Sequence, residues 1–511
     1  MAGSVPVAKS LEDIYTEDAL PTQRPRWDQL LSQFKTDYSH PAQFVSRSPG
    51  RVNIIGEHID YSLYSVLPMA ITADVLLAVS PFEDASSTSY KIKISNVQSS
   101  KFSSHEFSLP FDSVDIDASV HEWTNYFKSG LRGALELLRK KQGADFKPKS
   151  LEIVVDGTVP AGGGLSSSAA FVSASALAVL YANGCTSVDK TELTELAIVS
   201  ERAVGVNSGG MDQSASVLSV RGSALHVSFV PRLTAKAVQF PKTDPELNFV
   251  IAQSFVASDK HVTGPVCYNL RVVECSLAAA YLHAVLNRSS PPLPKDSGPL
   301  GISLQGFHAS YFKGSATNIE AQLEELIQLT KKTLTKDGYT REEIAPVIQI
   351  SVSELNERFT TTFPVRAEQF KLRQRALHVF SEALRVLQFL AVLQSNPSDG
   401  SSTEAFNKKL GDIMNETQDS CRDLYECSCP ELDELCTIAR KAGSYGSRLT
   451  GAGWGGCSVH LVPADKVESV KKAWETEYYS KRNLTEEQKD AAVVVSKPGG
   501  GSAVFVVDGH T

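Results

Sequence analysis

The stretch of residues 156–184, DGTVPAGGGLSSSAAFVSASALAVLYANG, constrains the fold of this chain more than any other. Residues 151–155 read as a strand, Gly162, Gly163 and Gly164 follow in succession, and after Leu165 the run Ser166, Ser167, Ser168 opens an apolar helix that closes at Gly184. In a strand–turn–helix unit of this kind, the free amides of the helix N-terminus face the turn, and three missing Cβ atoms let an anion reach them. No lysine follows Gly164 until Lys190, so the turn is not a Walker P-loop. The serine hydroxyls are left as its polar side chains, suited to capping amides, binding phosphate or ligating Mg²⁺.

Glycine is placed with similar economy elsewhere. Fifteen of the 33 glycines fall within 162–164, 205–210, 443–456 and 499–501. Such clusters belong where backbone approaches a ligand or φ is positive. The last run predicts only a turn before a final strand, whereas the third, GSRLTGAGWGGCSVHLV at 446–462, is a glycine-rich loop running into a strand, which with the other clusters suggests that several loops converge on one ligand. A net charge of −8 argues against a nucleic-acid reader and leaves room for a small anionic substrate in a local positive pocket. The 511 residues, 42% hydrophobic, can bury the core of a soluble globular protein. Eight scattered cysteines without a CxxC pair fit reduced thiols. The acidic N-terminus resembles no signal peptide, and the apolar stretch 169–182 is too short to span a bilayer, so a cytoplasmic location without membrane association is expected.

Residues 1–40 read as a polar lead-in with a short helix near 27–34. Strands are predicted at 43–47, 74–80 and 91–95, with a charge-bearing loop between the first two because Pro49, Gly50 and Gly56 interrupt it. Helices follow at 122–138 and 193–203, and at 374–390, where Ala376, Phe380, Ala383, Leu384 and Leu387 form one packed face. Residues 287–301 and 396–403 look like surface excursions, 319–329 like an exposed helix, and strands return at 458–462 and 502–507. The expected fold class is α+β, in two lobes at 41–225 and 226–511, the second carrying an insertion at about 287–365.

Two further segments carry chemistry. In SERAVGVNSGGMDQ, Glu201 precedes Asp212 by eleven residues across Gly205, Gly209 and Gly210, so one carboxylate can hold a metal while the other takes a proton. RVNIIGEHID places Arg51, Glu57, His58 and Asp60 within ten residues, a set suited to vicinal hydroxyls. Consecutive residues point in different directions, which disfavours reading the same set as a metal site.

Together these segments resemble the GHMP kinase superfamily, and within it the galactokinases. SPGRVNIIGEHIDY is similar to the galactokinase signature, PAGGGLSSSAA to the superfamily's phosphate motif and LTGAGWGGC to its third motif; the resemblance runs from about residue 43 to 507, with the length and insertion of eukaryotic, particularly fungal, members. It implies a two-lobed GHMP-kinase fold with the active site in the cleft between lobes, and transfer of the γ-phosphate of ATP to the C1 hydroxyl of galactose. Residue by residue, it implies Asp212 as proton acceptor and Arg51 as the group stabilising that aspartate, which it would acidify, and the moving phosphate. Glu57, His58, Asp60, Gly210 and Tyr268 would bind the sugar. ATP would occupy residues 162–168, with Ser168 and Glu201 as Mg²⁺ ligands and Trp123 and Tyr126 enclosing adenine. A monomer is expected. Two alternatives carry the same motifs: an N-acetylgalactosamine kinase, against which Tyr268 counts, and a sugar-sensing regulator that binds galactose and ATP and engages a transcriptional repressor, against which the intact Ser166–Ala170 run counts.

Overall fold

The strand that begins at Phe44 organises the first lobe. The computed structural model describes residues 3–84, 88–117, 120, 122–160, 162–202, 209–257, 263–287, 291–361, 364–395 and 403–507. Ala203, Gly205 and residues 288–290 and 396–402, all within segments assigned above, lie outside them. β1 (Val7–Ala8), β2 (Phe44–Ile55), β3 (Leu67–Phe82), β4 (Ser89–Asn96), β5 (His105–Pro110), β6 (Ser150–Gly157) and the C-terminal β13 (Ala503–Val506) form one seven-stranded sheet in the order β1-β13-β2-β3-β6-β4-β5. Pro49 and Gly50, expected in a loop, lie inside β2. A register shift between Pro49 and Arg51 absorbs them, since a bulge tolerates a residue without an N–H. Gly50 is needed there: a Cβ would stand 2.8 Å from the carbonyl oxygen of Leu165 and from Val159 Cγ1. The phosphate-type turn is thereby pressed against β2.

Side chains alternate across this sheet with period two. Leu77, Val79 and Ile153 meet helices α2 (Thr124–Gln142) and α3 (Ser167–Ala182), whereas Leu76, Ala78 and Val154 meet Trp27, Leu30 and Phe34 of α1 (Leu20–Tyr38). The expected lead-in is thus a covering layer. Its helix is longer than the sequence pattern suggests, and it is pinned by the buried Asp74, whose carboxylate accepts from Tyr15 Oη at 2.7 Å, Arg26 Nη1 at 2.6 Å and Arg47 Nε at 2.6 Å. Because β13 pairs with β2, the C-terminus belongs with the first sheet, and a division near residue 225 separates the sequence more cleanly than it separates the layers.

The second lobe is built on an antiparallel sheet of β10 (Gly446–Thr450), β11 (Cys457–Pro463), β9 (Leu247–Gln253) and β12 (Val493–Ser496), in that order. β7 (Ser223–Ser228) and β8 (Thr234–Gln239) form a separate hairpin. Val250, Ala252 and Val462 pack on helices Pro430–Ala442 and Val467–Glu477; Phe249, Ile251, Val459 and Leu461 face the core that continues into the first lobe. Helix Leu372–Gln394 is long and apolar enough to cross a membrane, but 67% of its apolar window is buried inside the protein, and Arg375, His378, Glu382 and Arg385 lie on its buried side. Leu384 and Leu387, assigned to its packed face, are only partly buried. The helix expected to be exposed spans Ile319–Thr333 and is amphipathic, with Leu323 and Leu326 fully buried, so the insertion packs on the lobe.

Candidate active site

Arg51 leaves β2 just beyond the bulge and joins two elements that are far apart in sequence. Its Nε donates to Asp212 Oδ1 at 2.8 Å, Nη2 lies 2.7 Å from the same oxygen, and Nη1 donates to the carbonyl of Gly164 at 2.7 Å. Arg51 N donates to the carbonyl of Leu165 at 3.0 Å. Asp212 stands in the first turn of helix Met211–Leu218, behind Gly210 at φ +107°, a left-handed position that turns the chain into the helix. One buried guanidinium therefore bridges a carboxylate and the glycine turn.

The residues expected to hold a sugar gather around this pair, though not all with free side chains. Asp60 faces it: a Cβ on Gly209 would come within 2.5 Å of Asp60 Oδ2, and burial, followed by the neighbouring Asp212 carboxylate, pushes the Asp60 carboxyl up to about 6. Tyr268, first residue of helix Tyr268–Leu286, packs against His58 and Tyr61 at ring separations of 5.7 and 5.6 Å. Burial and the surrounding carboxylates of Asp60 and Asp212 hold its phenol far above the ordinary value, so it is a neutral hydroxyl. The His58 ring does not offer its nitrogens: Nδ1 is 2.9 Å from Tyr61 Oη and Nε2 2.9 Å from the carbonyl of Ala452. Glu57 is half committed, because Oε2 accepts from Arg448 Nη2 and from Gly451 N. Among the described residues its Oε1 and the backbone N–H of His58 take no hydrogen bond.

An ionised Asp60 at this site opposes folding, with the sign set by its raised value. The cost grows as pH rises from about 4 to about 6 and is complete above that. Asp60→Asn should therefore stabilise the ligand-free protein by about 3 kcal/mol at pH 7 and by little at pH 4. Urea unfolding at the two pH values measures this; equal stabilisation at both would remove titration as the cause.

At the turn, Gly162 and Gly164 have φ +71° and Ser166 φ +60°. Ser166 Oγ is buried with no partner among the described residues, and α3 begins at Ser167. Ser168 Oγ donates to Glu201 Oε1, whose other oxygen accepts from Gln213 Nε2. A hydroxyl and a carboxylate in contact form a hard oxygen pair that fits Mg²⁺ completing its shell with water and phosphate. The third glycine cluster does not line open space here but forms the back of the turn. Cβ atoms on Gly451 and Gly456 would stand 2.2 Å from the carbonyl oxygen of Gly164 and 2.9 Å from that of Gly163. Trp123 stacks on Phe171 of α3, with ring centroids 6.0 Å apart and planes 12° apart, and Tyr126 is partly buried in the first turn of α2.

Several groups at the site were not singled out from the sequence. Arg448, fully buried, donates through Nη1 to the carbonyl of Asn53 at 2.7 Å and pairs with Glu57. Glu382 and His378 hold the backbone around Glu57 from helix Leu372–Gln394. A charged residue amid an apolar helical run was the available signal. The 499–501 run also finds a role: Gly501 N donates to the carbonyl of Ser219 at 2.9 Å, and a Cβ there would meet the Val217 carbonyl oxygen at 2.4 Å. It thus packs against the end of the helix that carries Asp212.

Comparison with known proteins gives matches across this frame. The galactokinase galactose-binding signature matches residues 32–81, the GHMP kinases N terminal domain 125–219, and the GHMP kinases C terminal domain 402–481. The galactokinase of Saccharomyces cerevisiae is 42% identical over 501 residues, covering 93% of this chain and 94% of the yeast protein. That of Schizosaccharomyces pombe is 39% identical over 505 residues, covering 94% and 95%. The crystal structure of Lactococcus lactis galactokinase complexed with galactose superposes with a TM-score of 0.67 at 23% identity, covering 94% of this chain and 99% of the bacterial one.

Proposed function

The chain belongs to the galactokinase family of GHMP kinases, and from that premise we propose that it transfers the γ-phosphoryl group of ATP to the C1 hydroxyl of α-D-galactose, giving galactose 1-phosphate and ADP. The observation that supports this reading best is the Arg51 bridge, because it joins a carboxylate able to accept a proton to the turn suited to phosphate. In this reading Asp212 accepts the C1 hydroxyl proton as the oxygen attacks phosphorus. Arg51 keeps that carboxylate oriented and offsets the charge of the transferring group. The amides opening α3, with the unpartnered Ser166 hydroxyl, hold the nucleotide's phosphates. Ser168 and Glu201 would hold Mg²⁺, which when bound neutralises charge on phosphate oxygens. Trp123 and Tyr126, both partly buried, would flank adenine.

The sugar is held by Asp60 and the neutral Tyr268 hydroxyl, by Glu57 through Oε1 and by His58 and Gly210 through the main chain. Alignment contributes more than basicity here, since a carboxylate paired to arginine is a weak base held in the right place. In this reading Tyr268, packed on His58 and Tyr61, would stand where a 2-acetamido group needs room. The kcat/KM for galactose should exceed that for N-acetylgalactosamine by at least about tenfold. Parity or the reverse order would assign the enzyme to the acetylated sugar. Eight free cysteines are consistent with the cytoplasmic location that completes the proposal.

A further inference from the structure

The loop from Gly56 to Asp60 carries three of the proposed sugar contacts, yet its own backbone does little to fix it. Gly56 has φ +100° and His58 φ +60°, and a non-glycine residue in the left-handed region persists only when its surroundings hold it there. Those surroundings come from the other lobe. Glu382 Oε1 accepts from the amides of both Gly56 and Glu57, at 2.8 and 3.1 Å. Its Oε2 accepts from Arg385 Nε and Thr417 Oγ1, each at 2.8 Å. Four donors thus satisfy a fully buried carboxylate, and against the effect of burial the guanidinium groups of Arg385 and Arg448 keep the group ionised, drawn down to about 2.

His378 grips the next atom along. Its Nε2 donates to the carbonyl of Glu57 at 3.0 Å and its Nδ1 accepts from Ser420 Oγ at 2.8 Å, the pattern of a neutral ring, in keeping with burial that drives it down to about 3. Arg448 and Gly451 N then take one oxygen of the Glu57 carboxylate. The amide, carbonyl and half the side chain of Glu57 are all held by residues more than 300 positions away in sequence.

We propose that Glu382 and His378 are positioning residues for the sugar-side loop, fixing Glu57 and through it the places of His58 and Asp60, so that the second lobe sets galactose affinity without touching galactose. This rests on the galactokinase reading above. It predicts a split between substrates, because Glu382 and His378 hold the loop that precedes Asp60 and, among the described residues, form no hydrogen bond with the glycine turn at 162–164.

The test is steady-state kinetics in both substrates, with calorimetric titration of galactose into the full-length protein. Glu382→Ala should raise the KM for galactose by about tenfold or more and weaken galactose binding in parallel, with the KM for ATP changed by less than about twofold. Glu382→Gln, which retains an oxygen for the two amides, should recover most of the galactose affinity. His378→Ala, which leaves both amide contacts of Glu382 in place but removes the hold on the Glu57 carbonyl along with the Ser420 bond and the packing on Tyr425, should show the same split to a smaller degree even where Glu382→Ala fails to fold. Equal losses for both substrates, or no recovery in Glu382→Gln, would reduce Glu382 to a stabilising residue and overturn the inference. Galactose binding unchanged in all three variants would overturn it equally. Wild-type protein that binds no galactose would instead refute the choice of substrate, which is a separate failure.

Discussion

Asp212→Asn and Asp212→Ala should each lower kcat for galactose phosphorylation by at least about 10²–10⁴-fold, the range expected for loss of a positioned proton acceptor. The two variants should differ in stability. Asp212 and Arg51 are both buried, and removing one member of a buried pair leaves an uncompensated charge, at a cost of about 3–5 kcal/mol. Here the cost is softened, because Arg51 Nη1 still has the carbonyl of Gly164. Asparagine also preserves an oxygen at the position that accepts from Nε. The expected result is therefore two dead enzymes, of which Asp212→Asn melts near the wild type and Asp212→Ala melts lower. Turnover within about tenfold of wild type in the folded Asn variant would remove Asp212 from the chemistry. If loss of activity tracked stability across the pair, the carboxylate would be acting only as a partner for Arg51.

The chemistry of this chain was legible where it depends on residues close together in sequence. The strand, three glycines, serine run and helix at 151–184 form a unit whose geometry follows from local conformational preference, and the structure realises it with α3 at Ser167–Ala182. The same holds for Glu201 and Asp212, which stand near the end of one helix and the start of the next. Two features were illegible in the sequence, for physically distinct reasons. Pro49 and Gly50 each ordinarily interrupt a strand, but the neighbouring Leu165 carbonyl and Val159 side chain demand a residue without a Cβ, and a bulge absorbs the proline. That demand comes from tertiary packing and has no local trace. The clamp on Glu57 was missed for a related reason: Glu382, His378 and Arg448 are long-range partners, and sequence alone shows a charge in an apolar run without showing what neutralises it. His58 illustrates the converse, a residue type suited to hydroxyls whose ring is spent on Tyr61 and Ala452. The run at 499–501, opaque as sequence, is close packing behind the Asp212 helix.

Gly451→Ala should be among the most damaging single-methyl additions in the protein, and it separates two roles for the third glycine cluster. Gly451 has φ +85°, where a side chain costs roughly 1–2 kcal/mol, and its Cβ would stand 2.2 Å from the carbonyl oxygen of Gly164. Backbone cannot yield as a flexible side chain can, so about 1–3 kcal/mol of overpacking adds to the conformational cost. Gly164 faces it in a matching position, φ +71° with its own Cβ site 2.9 Å from the carbonyl oxygen of Thr450, so relief at one residue is blocked at the other. The displaced atom is the carbonyl that Arg51 Nη1 holds, and Gly451 N is also a donor to Glu57. The phosphate turn should therefore move while the Gly56–Asp60 loop keeps its hold from Glu382 and His378. The expected outcome is a KM for ATP raised by about tenfold or more, a smaller change in galactose binding, and a lowered melting temperature. Gly500→Ala serves as control, because its Cβ would meet nothing closer than 3.9 Å. Should Gly451→Ala retain wild-type stability and ATP affinity, the close contact between the two glycine loops would not be what shapes the phosphate turn. A loss of ATP affinity at unchanged stability would point instead to a cluster that meets the nucleotide directly.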